Sequence, residues 1–453
     1  MSEIEIAGGW MPLTLGQLDF WEEFSSHPDL PLSTVAHYLD IEGDVDEDAL
    51  VRAIAQTVRE AEVLSVRFRR GTGGQGPQQR SDPRRAPIVE HIDLCAFPDP
   101  FAEAERLMDA DVRAKLNLTT DKLSAQLLFR LGEKRYLWYL RAHHIVVDGY
   151  GLALIEQRCG QLYRHFRGRA EAGHPFHSFA SFLAEEDAYR GSRRWEADRA
   201  FWSEYLDLPV DLPVLDRGGE DYGEPGLHHG AALPDAICRN LRATASSAKI
   251  GWPDLLVLLS GAYLYATMPR QSAGDRDVLT LWLPFMSRWG SVGAHLPAML
   301  VNILPFHLSL DPQETLRAFL ARSVGVLRKQ RLHGRYRIEQ IAADRGVPKN
   351  SRFFFSPLIN VLPFSSPDFG GCRVTRHILA SGPGDGFNLT FRGEDDGSRL
   401  TLYIDADPAM TGRDAFERHT RDLPAFLEHC LSPEAMDRPV ADLWSNFISV
   451  DCS

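Results

Sequence analysis

At 453 residues, with 44% hydrophobic and 25% charged side chains, the chain has the make-up of a globular protein and is too long for one ordinary core. Two domains of about 200 residues each are expected. The net charge of −13 leaves no general basic field, which argues against nucleic acid and against polybasic attachment to a membrane.

The six cysteines (Cys95, Cys159, Cys238, Cys372, Cys430 and Cys452) are scattered, without a Cys-x-x-Cys pair or zinc-site spacing. They read as free thiols in a reducing cytoplasm. The opening MSEIEIAGGW has no apolar region of the signal-peptide kind, and the longest apolar stretch, Leu255 to Met268, is shorter than the roughly 20 residues of a membrane span. It follows Pro253-Asp254 and reads as a buried helix.

In chain order, Thr14-Leu15-Gly16-Gln17 has the spacing of a capping box, and Leu15, Leu18 and Trp21 stripe the helix that follows. Residues 35 to 42 alternate as a strand. Asp46 opens a second helix, with Leu50, Ile54 and Val58 at four-residue spacing, and a short strand is expected over 63–68. Residues 71 to 87 are rich in Gly, Pro and Gln, with no Lys-Ser/Thr after the glycines, and read as a solvated loop. A β-hairpin over 124–131 and 135–147 turns at Gly132-Glu133-Lys134, and a helix starts after Gly149.

Residues 176 to 206 are helical in pattern, and 209 to 225 are turn-rich, marking the passage into a second lobe. That lobe has a helix over 253–268, strands over 277–285 and 299–309, and a helix announced by Asp311-Pro312. Strands over 356–363, 387–393 and 399–405 and a helix from about 412 complete it. This alternation predicts an α/β (α+β sandwich) fold, with a domain boundary between residues 175 and 176.

The chemistry concentrates at His143-His144-Ile145-Val146-Val147-Asp148-Gly149, where a buried strand meets a helix. Histidine titrates where proton transfer is needed near neutrality. Strand alternation sends the two imidazoles to opposite sides, so they do not share a metal. One can face a cavity while the other braces the turn. Asp148 either orients an imidazole or pairs with an arginine, and Gly149 removes a side chain where substrate or backbone must come close. With no Gly-x-Ser-x-Gly elbow and no cysteine in a basic setting, a covalent acyl-enzyme has no candidate nucleophile.

The His-His-x-x-x-Asp-Gly pattern resembles the signature of the chloramphenicol acetyltransferase-like superfamily, and within it the condensation domains of nonribosomal peptide synthetases. Further segments carry the resemblance in the family's order: Pro12–Trp21, Arg59–Phe68, Leu283–Arg288, Val301–Pro305, His333–Arg337 and Ser356–Val361. Several lean toward starter domains of the enterobactin type. Ile303 stands where the family usually has threonine, and Tyr150-Gly151-Leu152 departs from the tryptophan-containing continuation of epimerisation domains.

The resemblance implies two chloramphenicol acetyltransferase-like lobes in a V shape, with the active site at their interface. It makes His144 the general base, His143, Asp148, Gly149 and Arg288 its support, with Arg288 paired to Asp148 and the Gly149 N–H a candidate oxyanion donor. Trp289, Asn302 and Asn360 become candidates for the substrate tunnel.

No adenylation motif or carrier attachment site is visible, so a free-standing condensation enzyme is expected, served by a carrier protein in trans. The donor is then an acyl group on the carrier's phosphopantetheine, the acceptor an alcohol or amine, with no bound cofactor and no metal. Among free-standing members the pattern is similar to enediyne-pathway enzymes that join a β-amino acyl group to an alcohol. The competing expectations are a coenzyme-A-dependent O-acyltransferase of the same superfamily and a non-catalytic recruitment module. Arg190, Arg193 and Arg194, beside Tyr189 and Trp195, form a candidate docking surface for an acidic carrier.

Overall fold

The computed structural model describes residues 9–220, 226–274, 276–382, 384–444 and 447. The N-terminal residues 1–8, part of the turn-rich segment 209–225 and Cys452 lie outside them. The chain forms two compact units, each a mixture of helices and sheet, which is the expected α/β class.

The first unit runs to Arg190 and is completed by two later segments, Arg288–Val301 and Ser366–Pro383. The second takes Gly191–Ser287, Asn302–Ser365 and the chain from Gly384 onward. This differs from the expected single boundary between residues 175 and 176. Phe179 is buried in the first unit's core, and the helix it opens, Phe179–Tyr189, goes with it. Arg288–Val301 belongs there because Leu296, Ala298 and Leu300 are buried in the same core.

The first unit is built on a five-stranded sheet ordered Arg373–Ser381, Thr34–Glu42, Arg135–His143, Ser124–Gly132 and Val89–Asp93. All neighbours are antiparallel except the last pair. The central strand Arg135–His143 is covered on both faces. Tyr136, Trp138, Leu140 and Ala142 pack in one layer with Leu50 and Ile54 of helix Glu47–Glu60 and Ile155 and Leu162 of helix Gly149–Phe166. Leu137 and Tyr139 pack in the other with Ala104 and Met108 of helix Pro100–Val112. Burial on two sides explains why this strand reads as a nearly continuous apolar run.

The second unit holds a seven-stranded sheet ordered Gln271–Ala273, Arg276–Phe285, Leu358–Pro363, Phe387–Gly393, Thr401–Ala406 and Leu227–Ala232, with Asn302–Leu308 paired to Arg276–Phe285. Its core is filled by helix Trp252–Thr267, most of whose residues are buried, as the apolar run predicts. Among the described residues no helix is long and apolar enough to cross a membrane.

Three expectations are corrected locally. The polar stretch 71–87 contains the strand Gln78–Ser81, whose Gln79 is 1% exposed, because it pairs with both Val66–Arg69 and Met11–Pro12. Residues 62–65 form a short 3-10 turn, and the strand begins only at Val66. The helix announced by Asp311-Pro312 starts at Leu316 with Thr315 as its cap. Asp311 instead closes a turn, its carboxylate accepting from Gln313 N at 2.9 Å and its N–H donating to Glu314 at 3.1 Å.

Candidate active site

All the groups of the histidine motif sit in the first unit, at the end of its central strand. His143 closes strand Arg135–His143 opposite Thr34, and its N–H donates to Leu123 O at 2.8 Å. His144 has left the ladder and donates its N–H to Ser33 O at 2.7 Å. Ser33 holds a left-handed φ of 56°, uncommon for a residue other than glycine, which turns its carbonyl toward this N–H.

The loop behind the histidines is fixed from the first helix, Leu15–Ser26. Thr14 and Gln17 form the expected capping box. The Gln17 amide also reaches across 128 residues to donate to Ile145 O at 3.2 Å, and exchanges hydrogen bonds with Gln79 at 3.0 and 2.6 Å. The spacing identifies Gln17 as a cap; its long-range role appears only in three dimensions.

The two imidazoles live differently. His143 is buried, and its Nδ1 accepts from the N–H of Ile145 at 3.1 Å. Burial, reinforced by His144 and Arg141, pushes its pKa down to about 3, so the ring is neutral and braces the turn. His144 is half-buried and stacks on Phe20 with ring centroids 4.9 Å apart and planes 15° from parallel. Its Nδ1 is buried with no hydrogen-bond partner among the described residues. Burial lowers its pKa below the ordinary histidine value, against the opposing pull of nearby backbone groups and the Asp148 charge. A neutral imidazole near pH 7 is the form able to accept a proton.

Asp148 is the N-cap of helix Gly149–Phe166, accepting from Gly151 N at 2.8 Å. It also accepts from Leu300 N and Val301 N at 2.8 and 2.9 Å, and both its oxygens accept from Arg288 Nη2 at 2.7 and 2.6 Å. Burial alone would raise its pKa, but the Arg288 charge and these N–H groups hold it below the usual carboxylate range. Arg288 is 3% exposed, donates further to the carbonyls of Gly293, Leu296 and Ala298, and lies 4.8 Å under the Tyr150 ring. The aspartate therefore ties the start of the helix to segment 288–301; among the described residues it makes no hydrogen bond with either histidine. Gly149 opens the helix and supplies one of the N–H groups that a helix leaves without an internal acceptor.

The other candidates fall apart from this cluster. Trp289 is 90% exposed. Asn302 belongs to the second unit, where its amide donates to Gly334 O and Tyr336 O at 2.9 and 3.0 Å and accepts from Ile338 N at 3.0 Å. With those bonds made it braces the turn 334–338. Asn360 lies half-buried on strand Leu358–Pro363, opposite Thr390. Of the docking arginines, Arg194 is engaged by Asp198 at 2.9 Å and by the carbonyl of Leu332.

Sequence reasoning did not pick out Phe20, Ser33 or Gly382 as neighbours of the motif. Gly382, at φ 81°, stands so close that a β-carbon there would lie 3.2 Å from His144 Cδ2. The only sequence signal for it is the turn-like run Ser381-Gly382-Pro383-Gly384.

The family model for the condensation domain matches residues 9–430. The "Dimodular nonribosomal peptide synthase" of Bacillus subtilis (strain 168) is 31% identical over 427 residues, covering 94% of this chain but 18% of the relative. "Enterobactin synthase component F" of Escherichia coli O157:H7 is 30% identical over 434 residues, 94% of this chain and 33% of that one. The chain thus spans a third or less of these two relatives. Among solved structures, VibH, an NRPS condensation enzyme, is similar with a TM-score of 0.85 at 35% identity, over 95% of this chain and 100% of that one. The first condensation domain of the calcium-dependent antibiotic synthetase follows with a TM-score of 0.79 at 26% identity, over 96% and 98%. From the match that runs through nearly the whole length, the chain belongs to the condensation domain family, whose members are acyltransferase-type condensation enzymes.

Proposed function

We propose that the chain transfers an acyl or aminoacyl group from the phosphopantetheine thioester of a carrier protein to an alcohol or amine, with His144 accepting the acceptor's proton. The observation that carries this reading is the division of labour at the motif. His143 and Asp148 are spent on structure, leaving His144 as the half-exposed, neutral imidazole.

In this reaction the acceptor O–H or N–H approaches His144. The oxygen or nitrogen attacks the thioester carbonyl, the new C–O or C–N bond forms, and the C–S bond breaks. The proton taken by the imidazole returns to the departing thiolate, so the step needs no oxidant and no covalent enzyme intermediate. The cysteines support direct transfer: Cys159 and Cys430 are buried with thiols pushed up by burial, and Cys95 is raised by its hydrogen bond with Asp93. An alcohol depends on the base more than an amine does, because a neutral hydroxyl is a weak nucleophile until its proton is leaving. Within this class we place ester formation, a β-amino acyl group passed to an alcohol of an enediyne core, on sequence resemblance.

The test is incubation with acyl-carrier and acyl-coenzyme-A donors and with paired alcohol and amine acceptors, the products identified by mass. Carrier-dependent product is expected, and His144→Ala lowers turnover by about 100- to 10,000-fold while the protein stays folded. Equal turnover by a folded His144→Ala variant removes the base role. Transfer from coenzyme A alone assigns the chain to the O-acyltransferase reading, and no turnover with any donor to the recruitment reading.

A further inference from the structure

Most catalytic imidazoles are oriented by a hydrogen bond at the ring nitrogen remote from the substrate, usually to a carboxylate or carbonyl. At His144 this device is weak: backbone carbonyls of His144 and Val147 lie near enough to favour its charged form, but neither completes a hydrogen bond to Nδ1. Its Nδ1 is buried without a partner among the described residues, and the nearby carboxylate, Asp148, is committed to Arg288 and three backbone N–H groups. Yet the ring is confined. Phe20 lies nearly parallel to it at 4.9 Å, and Gly382 brings bare backbone against Cδ2, the carbon next to Nε2.

We propose that Phe20 and Gly382 are positioning residues for His144: the aromatic face sets the plane of the imidazole, and the missing side chain at 382 sets how far it turns. The inference rests on the reading of His144 as the proton acceptor. Stacked rings hold a shared plane through dispersion and their quadrupoles, without naming a tautomer. Gly382 has a second reason to be glycine, since its φ of 81° suits few other residues.

The three parts are tied to one frame. Consecutive carbonyls hold two of them, Ser33 O accepting from His144 N at 2.7 Å and Thr34 O from Gly382 N at 3.0 Å. The helix carrying Phe20 is anchored to the same place by Gln17, which bonds Ile145 O, and by Glu23, which accepts from the Ser33 hydroxyl. The imidazole, its stacking partner and its backbone stop therefore move together. A misplacement of about 1 Å in such a site costs on the order of 100-fold in rate, which gives the stack something to protect.

The test uses the full chain with Phe20→Leu, which keeps apolar volume but removes the ring, with Phe20→Met as the alternative if the first does not fold, and Phe20→Tyr as the conservative variant. Two readouts are needed: kcat against KM for donor and acceptor, and the ring-proton NMR signals of His144, assigned by their loss in His144→Gln. We expect Phe20→Leu to lower kcat by about 10- to 100-fold with both KM values unchanged. Phe20→Tyr recovers most of that loss, and the upfield ring-current displacement of the His144 signals disappears in Leu and returns in Tyr. Gly382→Ala is expected to lower kcat while the displacement persists in altered size. The proposal is overturned if the His144 signals do not move in Phe20→Leu, or if they move and kcat does not. Should His144→Ala keep full turnover, the base reading fails and the inference with it; an inactive His144→Ala beside an unimpaired Phe20→Leu overturns the inference alone.

Discussion

Replacing Arg288 by methionine is the sharpest test of how the motif is held. The substitution keeps length and apolar volume but removes five hydrogen bonds, two to Asp148 and one each to the carbonyls of Gly293, Leu296 and Ala298. Breaking a buried ion pair from one side costs about 3–5 kcal/mol, because the remaining charge stays buried. Asp148 keeps three backbone donors, Gly151, Leu300 and Val301, which favours the lower end for the charge itself. The three abandoned carbonyls add about 1 kcal/mol each where water does not reach them. With about 6 kcal/mol lost in all, and about 2–4 °C per kcal/mol for a body of this size, the melting temperature should fall by roughly 12–24 °C. Thermal unfolding followed by circular dichroism measures this, read on the first transition if the units melt separately. The double variant Asp148→Asn/Arg288→Met should be more stable than Arg288→Met alone, since it removes the orphaned charge. Arg288→Met melting within about 2 °C of the parent, or a double variant that is worse than the single, would refute the reasoning.

Gly151→Ala is expected to destabilise by about 1–3 kcal/mol even though alanine is the better helix former. A β-carbon there would meet Val147 Cγ2 at 2.8 Å and Pro297 C at 3.0 Å, and urea unfolding reads the balance. His143 makes stability pH-dependent. Its folded pKa of about 3 lies below the unfolded value, so the unfolded chain takes up the proton first. The stability it confers is complete above about pH 6.5 and is lost as the pH falls toward 3, amounting to roughly 2 kcal/mol between pH 7 and 5. His143→Asn, whose side-chain oxygen can replace Nδ1 as acceptor for Ile145, should lose that part of the acid sensitivity in paired unfolding curves at the two pH values; an unchanged pH slope counts against it.

The legible parts of the fold are those whose cause is local. Thr14 and Gln17 announce a cap because both partners lie within one turn, and Leu152, Ile155, Cys159 and Leu162 announce the motif helix because one face repeats. The differing surroundings of His143 and His144 arise because the strand ends at His143 and His144 has already left the ladder, not from alternation along a strand. What stayed hidden depends on distant chain. Gln79 reads as part of a polar loop, and what makes it core is pairing with Met11 and Phe68 on two distant strands, together with its exchange with Gln17 across 62 residues. The edge strand Arg373–Ser381 shows no clean alternation, because its register is set by Thr34–Glu42 and broken by a bulge between Ile378 and Ala380. Trp289, placed at a tunnel position by resemblance alone, is 90% exposed, an exposure for which the sequence carries no signal.

The same edge strand places an order on synthesis. Its Arg376 pairs with buried Glu156, which also meets His37 Nε2 at 2.7 Å. As the chain leaves the ribosome, helix Gly149–Phe166 is complete long before residue 376 exists. At about 5–20 residues per second, the 186 residues between Arg190 and Arg376 take roughly 10–40 s to be made. For that interval Glu156 has only a histidine beside it, and one side of strand Thr34–Glu42 is an open edge, the kind of surface that recruits stray strands. A fragment ending near Arg190 would keep that exposed edge permanently. Chimeras that exchange the first unit between relatives should accordingly carry residues 366–383 along with it, since the last strand of its sheet is made long after the rest of that sheet.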